Sequence, residues 1–268
     1  MSAVYAPAIR TPERRLRDAR PGVAAPLCIA GLCVVALALT YVAAALVPAT
    51  HFKDALALYR ITLLGGPRID DLANKLLHLL EPLMFTVWGL MLVIVALARG
   101  RPRVALAVAL VLGLAPGTAE VLKPLLAHPH AWVEGGSYVG AASWPSGHTT
   151  AATILAMCAV LVAPERLRPI VAVLGALLAL AAGFAVLVLA WHLPSDVLGA
   201  YLLSTFWIAL AVAGLRAADA RSHSRWLGRA SSGRAAVPGH PRAPASASAP
   251  SSIALATGRP GAVRPRVP

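Results

Sequence analysis

The chain has 268 residues, 58% of them hydrophobic and 13% charged, with a formal net charge of +13. So apolar a composition excludes an ordinary soluble domain and points to a polytopic membrane protein, all-α by expectation. The basic excess lies between apolar runs and in the tail with no recognition motif beside it, which excludes nucleic acid as an expected partner.

Residues 1–23 form a basic arm carrying Arg10, Arg14, Arg15, Arg17 and Arg20. A spanning helix takes about 20 apolar residues, and Ala24–Val47 is the first such stretch. It is longer than the apolar core of a signal peptide and is read as a span. In the segment 48–81 that follows, Ile69, Leu72, Leu76 and Leu79 recur at helical spacing, with Asp70, Asp71, Asn74 and Lys75 between them. That pattern predicts an amphipathic helix lying on the membrane surface. Pro82–Ala98 is the second span and Val104–Leu122 the third, separated by Arg99, Arg101 and Arg103.

Residues 123–146 hold Lys123, His128, His130, Trp132 and Glu134, with a turn at Gly135-Gly136. Trp132, Tyr138 and Trp144 suit an interfacial aromatic belt. Gly147–Ala163, Ile170–Ala190 and Pro194–Leu215 complete a predicted six-helix transmembrane bundle over residues 24–215. Cys28, Cys33 and Cys158 fall inside apolar spans and read as packing residues, not as disulfide partners. Residues 216–268, rich in Arg, Ala, Pro, Ser and Gly, are expected to form a disordered basic tail.

Orientation follows from the basic residues, of which 19 of 24 lie in the arm, the tail and alternate loops. The positive-inside rule puts both termini in the cytoplasm. The third span then ends at Lys123, the fourth starts at His148, and the fifth and sixth meet between His192 and Asp196. All four polar residues reach one, extracytoplasmic, face. Ionisable residues at span ends are costly and mark function. Asp196, four residues after His192, can hold one ring tautomer and raise the nucleophilicity of the other nitrogen. Ser146-Gly147 opens a helix whose positive end suits an anion, with Gly147 allowing close backbone approach.

Pro145-Ser146-Gly147-His148 and His192-x3-Asp196, with Lys123 ahead of them, resemble the signature motifs of the type 2 phosphatidic acid phosphatase (PAP2) superfamily. That family's pattern is K-x6-R-P, P-S-G-H and S-R-x5-H-x3-D. The resemblance covers roughly residues 76–215. It implies a membrane lipid-phosphate or polyprenyl-diphosphate phosphatase working without metal or other cofactor. His192 would be the nucleophile that forms a phosphohistidine, Asp196 its orienting carboxylate and His148 the acid. Lys123, Ser146, Gly147 and His130 would bind phosphate. Two arginines of the pattern are replaced: its Arg-Pro reads His130-Ala131, and its Ser-Arg reads Ala185-Val186. His130 donates a hydrogen bond but no bidentate fork, and Val186 donates nothing. Two further readings follow from that loss: a phosphate-group transferase on the same fold, and a catalytically impaired member that binds lipid or a protein partner.

Overall fold

A computed structural model describes residues 22–128 and 139–235, with side chains up to residue 222. Every regular element among the described residues is helical. The helices are α1 (Ala24–Tyr41), α2 (Pro48–Thr62), α3 (Pro67–His78), α4 (Pro82–Ala98), α5 (Pro102–Leu125), α6 (Gly147–Val162), α7 (Arg168–Val188) and α8 (Pro194–Ala235). A π-helical turn, Val42–Leu46, joins α1 to α2. Proline stands in the first turn of α2, α3, α4, α5 and α7, and opens α8. Its missing N–H costs nothing there, and its fixed φ suits helix initiation.

Each of the six apolar segments expected from the sequence is helical. Ala24–Leu46, Pro102–Leu125, Arg168–Val188 and Pro194–Ser222 are each long and apolar enough to cross a membrane. Pro82–Ala98 passes only when joined to α3, from which it bends by 56°, and Gly147–Val162 is a shorter apolar helix. The chain is thus a multi-pass membrane protein. Leu32, Leu39, Leu83, Leu90, Leu174 and Leu180 are exposed on the helix exteriors. Such a surface belongs against lipid, not water.

α6 packs on α4, α5 and α7, and α7 also takes α2 and α3. Ala115, Ala152, Ile154, Cys158, Ala182, Val186 and Val197 lie in one continuous core. Alanine and valine make up most of it, and the alanines let helices approach closely. A polar thread runs through the apolar contacts. The hydroxyls of Thr150 and Thr153 donate to the carbonyls of Ser146 and Thr149. Ser204 on α8 donates to Ala200 O and to Thr150 O, so α8 is hydrogen-bonded to α6.

α3 forms as predicted: Ile69, Leu72 and Leu79 are exposed, consistent with an apolar stripe turned to the membrane, while Ala73 and Leu77, continued by Leu80, pack against the protein. Three expectations change in detail. Trp144 is not in an exposed belt: it is 3% exposed, with the Tyr41 ring 5.4 Å away. The last helix passes the expected boundary at Leu215 and continues to Ala235. Its Ala and Arg content explains this, since both are strong helix formers. Residues 236–268, with Trp132 and Tyr138, lie outside the described residues. Cys33 and Cys158 are buried free thiols, whereas Cys28 is exposed.

A Cβ on Gly199 would lie 2.8 Å from the indole of Trp144. Gly199→Ala is therefore expected to destabilise the fold by about 1–3 kcal/mol, read as a lower melting temperature of the detergent-solubilised protein.

Candidate functional site

Three helix ends meet: the C-terminus of α5, the N-terminus of α6, and the α7–α8 turn. The turn is built by the close of α7, where Ala190 N–H donates to Leu187 O at 3.0 Å and Trp191 N–H to Val186 O at 2.9 Å. This paired pattern needs a left-handed residue between helix and exit. Ala190 takes that conformation, with φ 56°. An alanine there stores about 1 kcal/mol or more of strain, and the turn so formed presents Trp191 and His192.

His192 Nδ1 is 3.1 Å from Asp196 Oδ2. The same oxygen accepts the Leu193 N–H at 3.0 Å. Asp196 is 1% exposed, and its Oδ1 has no partner among the described residues. A charge this buried depends on its donors. They hold the carboxylate against the ring and favour the tautomer with hydrogen on Nδ1, leaving Nε2 free as a base or nucleophile.

The second motif is tied to the same residue. Ser146 N–H donates to the backbone carbonyl of Asp196 at 3.1 Å. Ser146 is fully buried and caps α6, its hydroxyl accepting from Thr149 N–H at 3.4 Å. The His148 ring lies 5.7 Å from that of Trp191. His192, Lys123, Glu81 and Glu120 are all within electrostatic reach of it.

Lys123, in the last turn of α5, is brought to the start of α6. A Cβ on Gly147 would stand 3.2 Å from Lys123 Nζ and 3.3 Å from Glu120 Oε1, so a side chain here would crowd the cation and shift it from the backbone by a few tenths of an ångström. Lys123 is not free: its ammonium bonds Glu120 at 2.5 Å. An ammonium beside the amides of a helix N-terminus has the charge and the donors to meet an anion, and here Glu120 holds that cation.

Of the residues singled out from the sequence, Lys123, Ser146, Gly147, His148, His192 and Asp196 therefore converge. His130 lies outside the described residues. Val186, at the position of the second motif arginine, is fully buried in the core. Among the described residues no group of three or more His, Cys, Asp or Glu is arranged to hold a metal ion.

Sequence reasoning missed Asp54, on α2. Its Oδ1 accepts the Ser195 N–H at 3.2 Å and its Oδ2 the Ser195 hydroxyl at 2.6 Å. Burial, and then the negative charge of Asp196, push its carboxyl up from the usual range. The Ser195 hydrogen bonds and His51 oppose this without cancelling it. No local pattern announces a contact between residues 141 positions apart.

Removing the α6 cap by Ser146→Ala is expected to cost about 1 kcal/mol of stability, measurable as a lower melting temperature. Ser146→Thr, which keeps the oxygen, should lose less.

Residues 104–219 match the PAP2 superfamily. The fold is similar to the crystal structure of a transmembrane PAP2-type phosphatidylglycerolphosphate phosphatase from Bacillus subtilis. The TM-score is 0.56 at 19% identity, covering 69% of this chain and 93% of that one. No curated protein matches the chain by sequence. The resemblance read from the motifs is borne out by the family match and the fold.

Proposed function

Because residues 104–219 match the PAP2 superfamily, we propose that this membrane protein hydrolyses a lipid phosphate or a polyprenyl diphosphate through a phosphohistidine. The observation that carries this is the buried His192–Asp196 pair. With Nδ1–H given to Asp196, the Nε2 lone pair of His192 attacks phosphorus and the P–O bond to the leaving group breaks. His148 delivers a proton to that oxygen. His148, now neutral, then takes a proton from water. The hydroxide formed displaces His192, releasing inorganic phosphate.

Lys123 and the amides at the start of α6 meet the non-bridging oxygens. Without the two motif arginines the bidentate contacts are lost, so phosphate is held more weakly than the family pattern implies. The substrate's chain has a place to lie. An apolar cleft of about 410 Å³ between α3, α4, α6 and α7 is lined by Leu76, Leu80, Trp88, Leu155, Gly175 and Leu178. It reaches Leu80, next to Glu81, the carboxylate within electrostatic reach of His148. The distribution of basic residues supports cytoplasmic termini and an extracytoplasmic site in the cell membrane.

The test is phosphate release by the detergent-purified protein in the presence of a chelator. The panel holds phosphatidic acid, phosphatidylglycerol phosphate and a polyprenyl diphosphate. His192→Ala should abolish release, and Asp196→Asn should lower kcat strongly, by up to the roughly 10⁴-fold that loss of the orienting carboxylate costs in the serine-protease triad. Release that survives His192→Ala would overturn the mechanism. Release that appears only with an added acceptor would favour a transferase. Val186 and His130 in the arginine positions favour a binding protein if no substrate turns over above the His192→Ala background.

A further inference from the structure

We propose that Asp54 is a positioning residue for the His192–Asp196 pair, acting through Ser195. The inference rests on the reading of His192 as nucleophile, but Asp54 lies outside the residues matched to the family. α8 begins at Pro194 directly after Leu193. The first N–H groups of a helix have no partner within it, and leucine has no side-chain acceptor to offer them. Asp54 supplies that acceptor from a different helix. One carboxylate oxygen takes the Ser195 backbone N–H and the other its hydroxyl, at 3.2 Å and 2.6 Å.

Ser195 lies between His192 and Asp196. Fixing its peptide and its side chain therefore fixes the rotation of the first turn of α8. The direction of the Asp196 carboxylate follows from that rotation. A small error there is amplified: Asp196 Oδ2 serves both the Leu193 amide and the His192 ring, and it cannot keep both if the turn rotates. Asp54 thus makes α2 part of the device that holds the nucleophile's tautomer, without touching the reacting atoms.

The experiment uses the full-length protein in detergent with Asp54→Ala, Asp54→Asn and Ser195→Ala. Asparagine preserves both contacts in altered form: its oxygen accepts the Ser195 N–H and its amide donates to Ser195 Oγ. Asp54→Ala is expected to lower kcat about 10- to 100-fold, the scale of a small misplacement of a reacting group, with KM little changed. Asp54→Asn should restore most of the rate. Ser195→Ala, the milder lesion, should fall between, and the double variant Asp54→Ala/Ser195→Ala should be no worse than Asp54→Ala.

A second readout does not need turnover. In ¹⁵N-histidine spectra at pH 8, with the His192 signal assigned by its loss in His192→Gln, the ring should be mainly Nδ1–H in the wild type. It should become a tautomer mixture in Asp54→Ala and return toward Nδ1–H in Asp54→Asn. An unchanged tautomer in both Asp54→Ala and Ser195→Ala would overturn the proposal whether or not the protein releases phosphate. Absence of phosphate release with the tautomer shift intact would instead count against the phosphatase reading alone.

Discussion

A carboxylate that is almost wholly enclosed has to have its charge met by fixed donors, and Asp196 meets its own with the His192 ring and the Leu193 amide. Its backbone carbonyl takes the Ser146 N–H as well. One residue thus joins the end of α7, the start of α8 and the start of α6. The geometry of both histidines follows from this knot. If Asp196 were displaced, the ring would lose its tautomer and the α6 entry its anchor together.

The bilayer explains why the knot sits at helix ends. Within hydrocarbon every backbone N–H and C=O must be paired inside the protein, so helices carry their own bonds and leave no polar groups for chemistry. Only at their ends do unpaired amides and tolerable charges occur. Lys123, Ser146, Gly147, His148, His192 and Asp196 all come from such ends or from the turn between two of them. The threonines and serines deeper in α6 and α8 spend their hydroxyls on neighbouring carbonyls. They hold the helices together without exposing polarity.

Much of this was legible from sequence. Apolar length alone marked six segments that are helical, four of them long enough to cross a membrane on their own, and the alternation of basic loops predicted that Lys123, His148, His192 and Asp196 lie close together, as they do. Short motifs named the residues because their chemistry is local: His192 and Asp196 are one helical turn apart. What was not legible depends on distant pairing. Asp54 meets Ser195 across the fold, and Trp144 is enclosed because Gly199 leaves room for its indole. On α3 the spacing of Ile69, Leu72 and Leu79 marked the exposed apolar side but not the Ala73 and Leu77 edge that packs on the protein, because lipid and protein both accept apolar side chains. Position 186 shows the converse: its valine is visible in the sequence, but only the fold reveals that its side chain is sealed in the core while its carbonyl anchors Trp191.

The brevity of α6 bears on the depth of the site. Sixteen residues rise only about 24 Å, against a hydrocarbon layer about 30 Å thick. Yet ten of its sixteen residues are buried and none of the rest is exposed, so other helices and not lipid surround it. Its length therefore has no hydrocarbon layer to match. What fixes the level of its first turn is the packing of its neighbours and the Ser146 N–H bond to Asp196, so His148 keeps its depth relative to His192 whatever the thickness of the membrane outside.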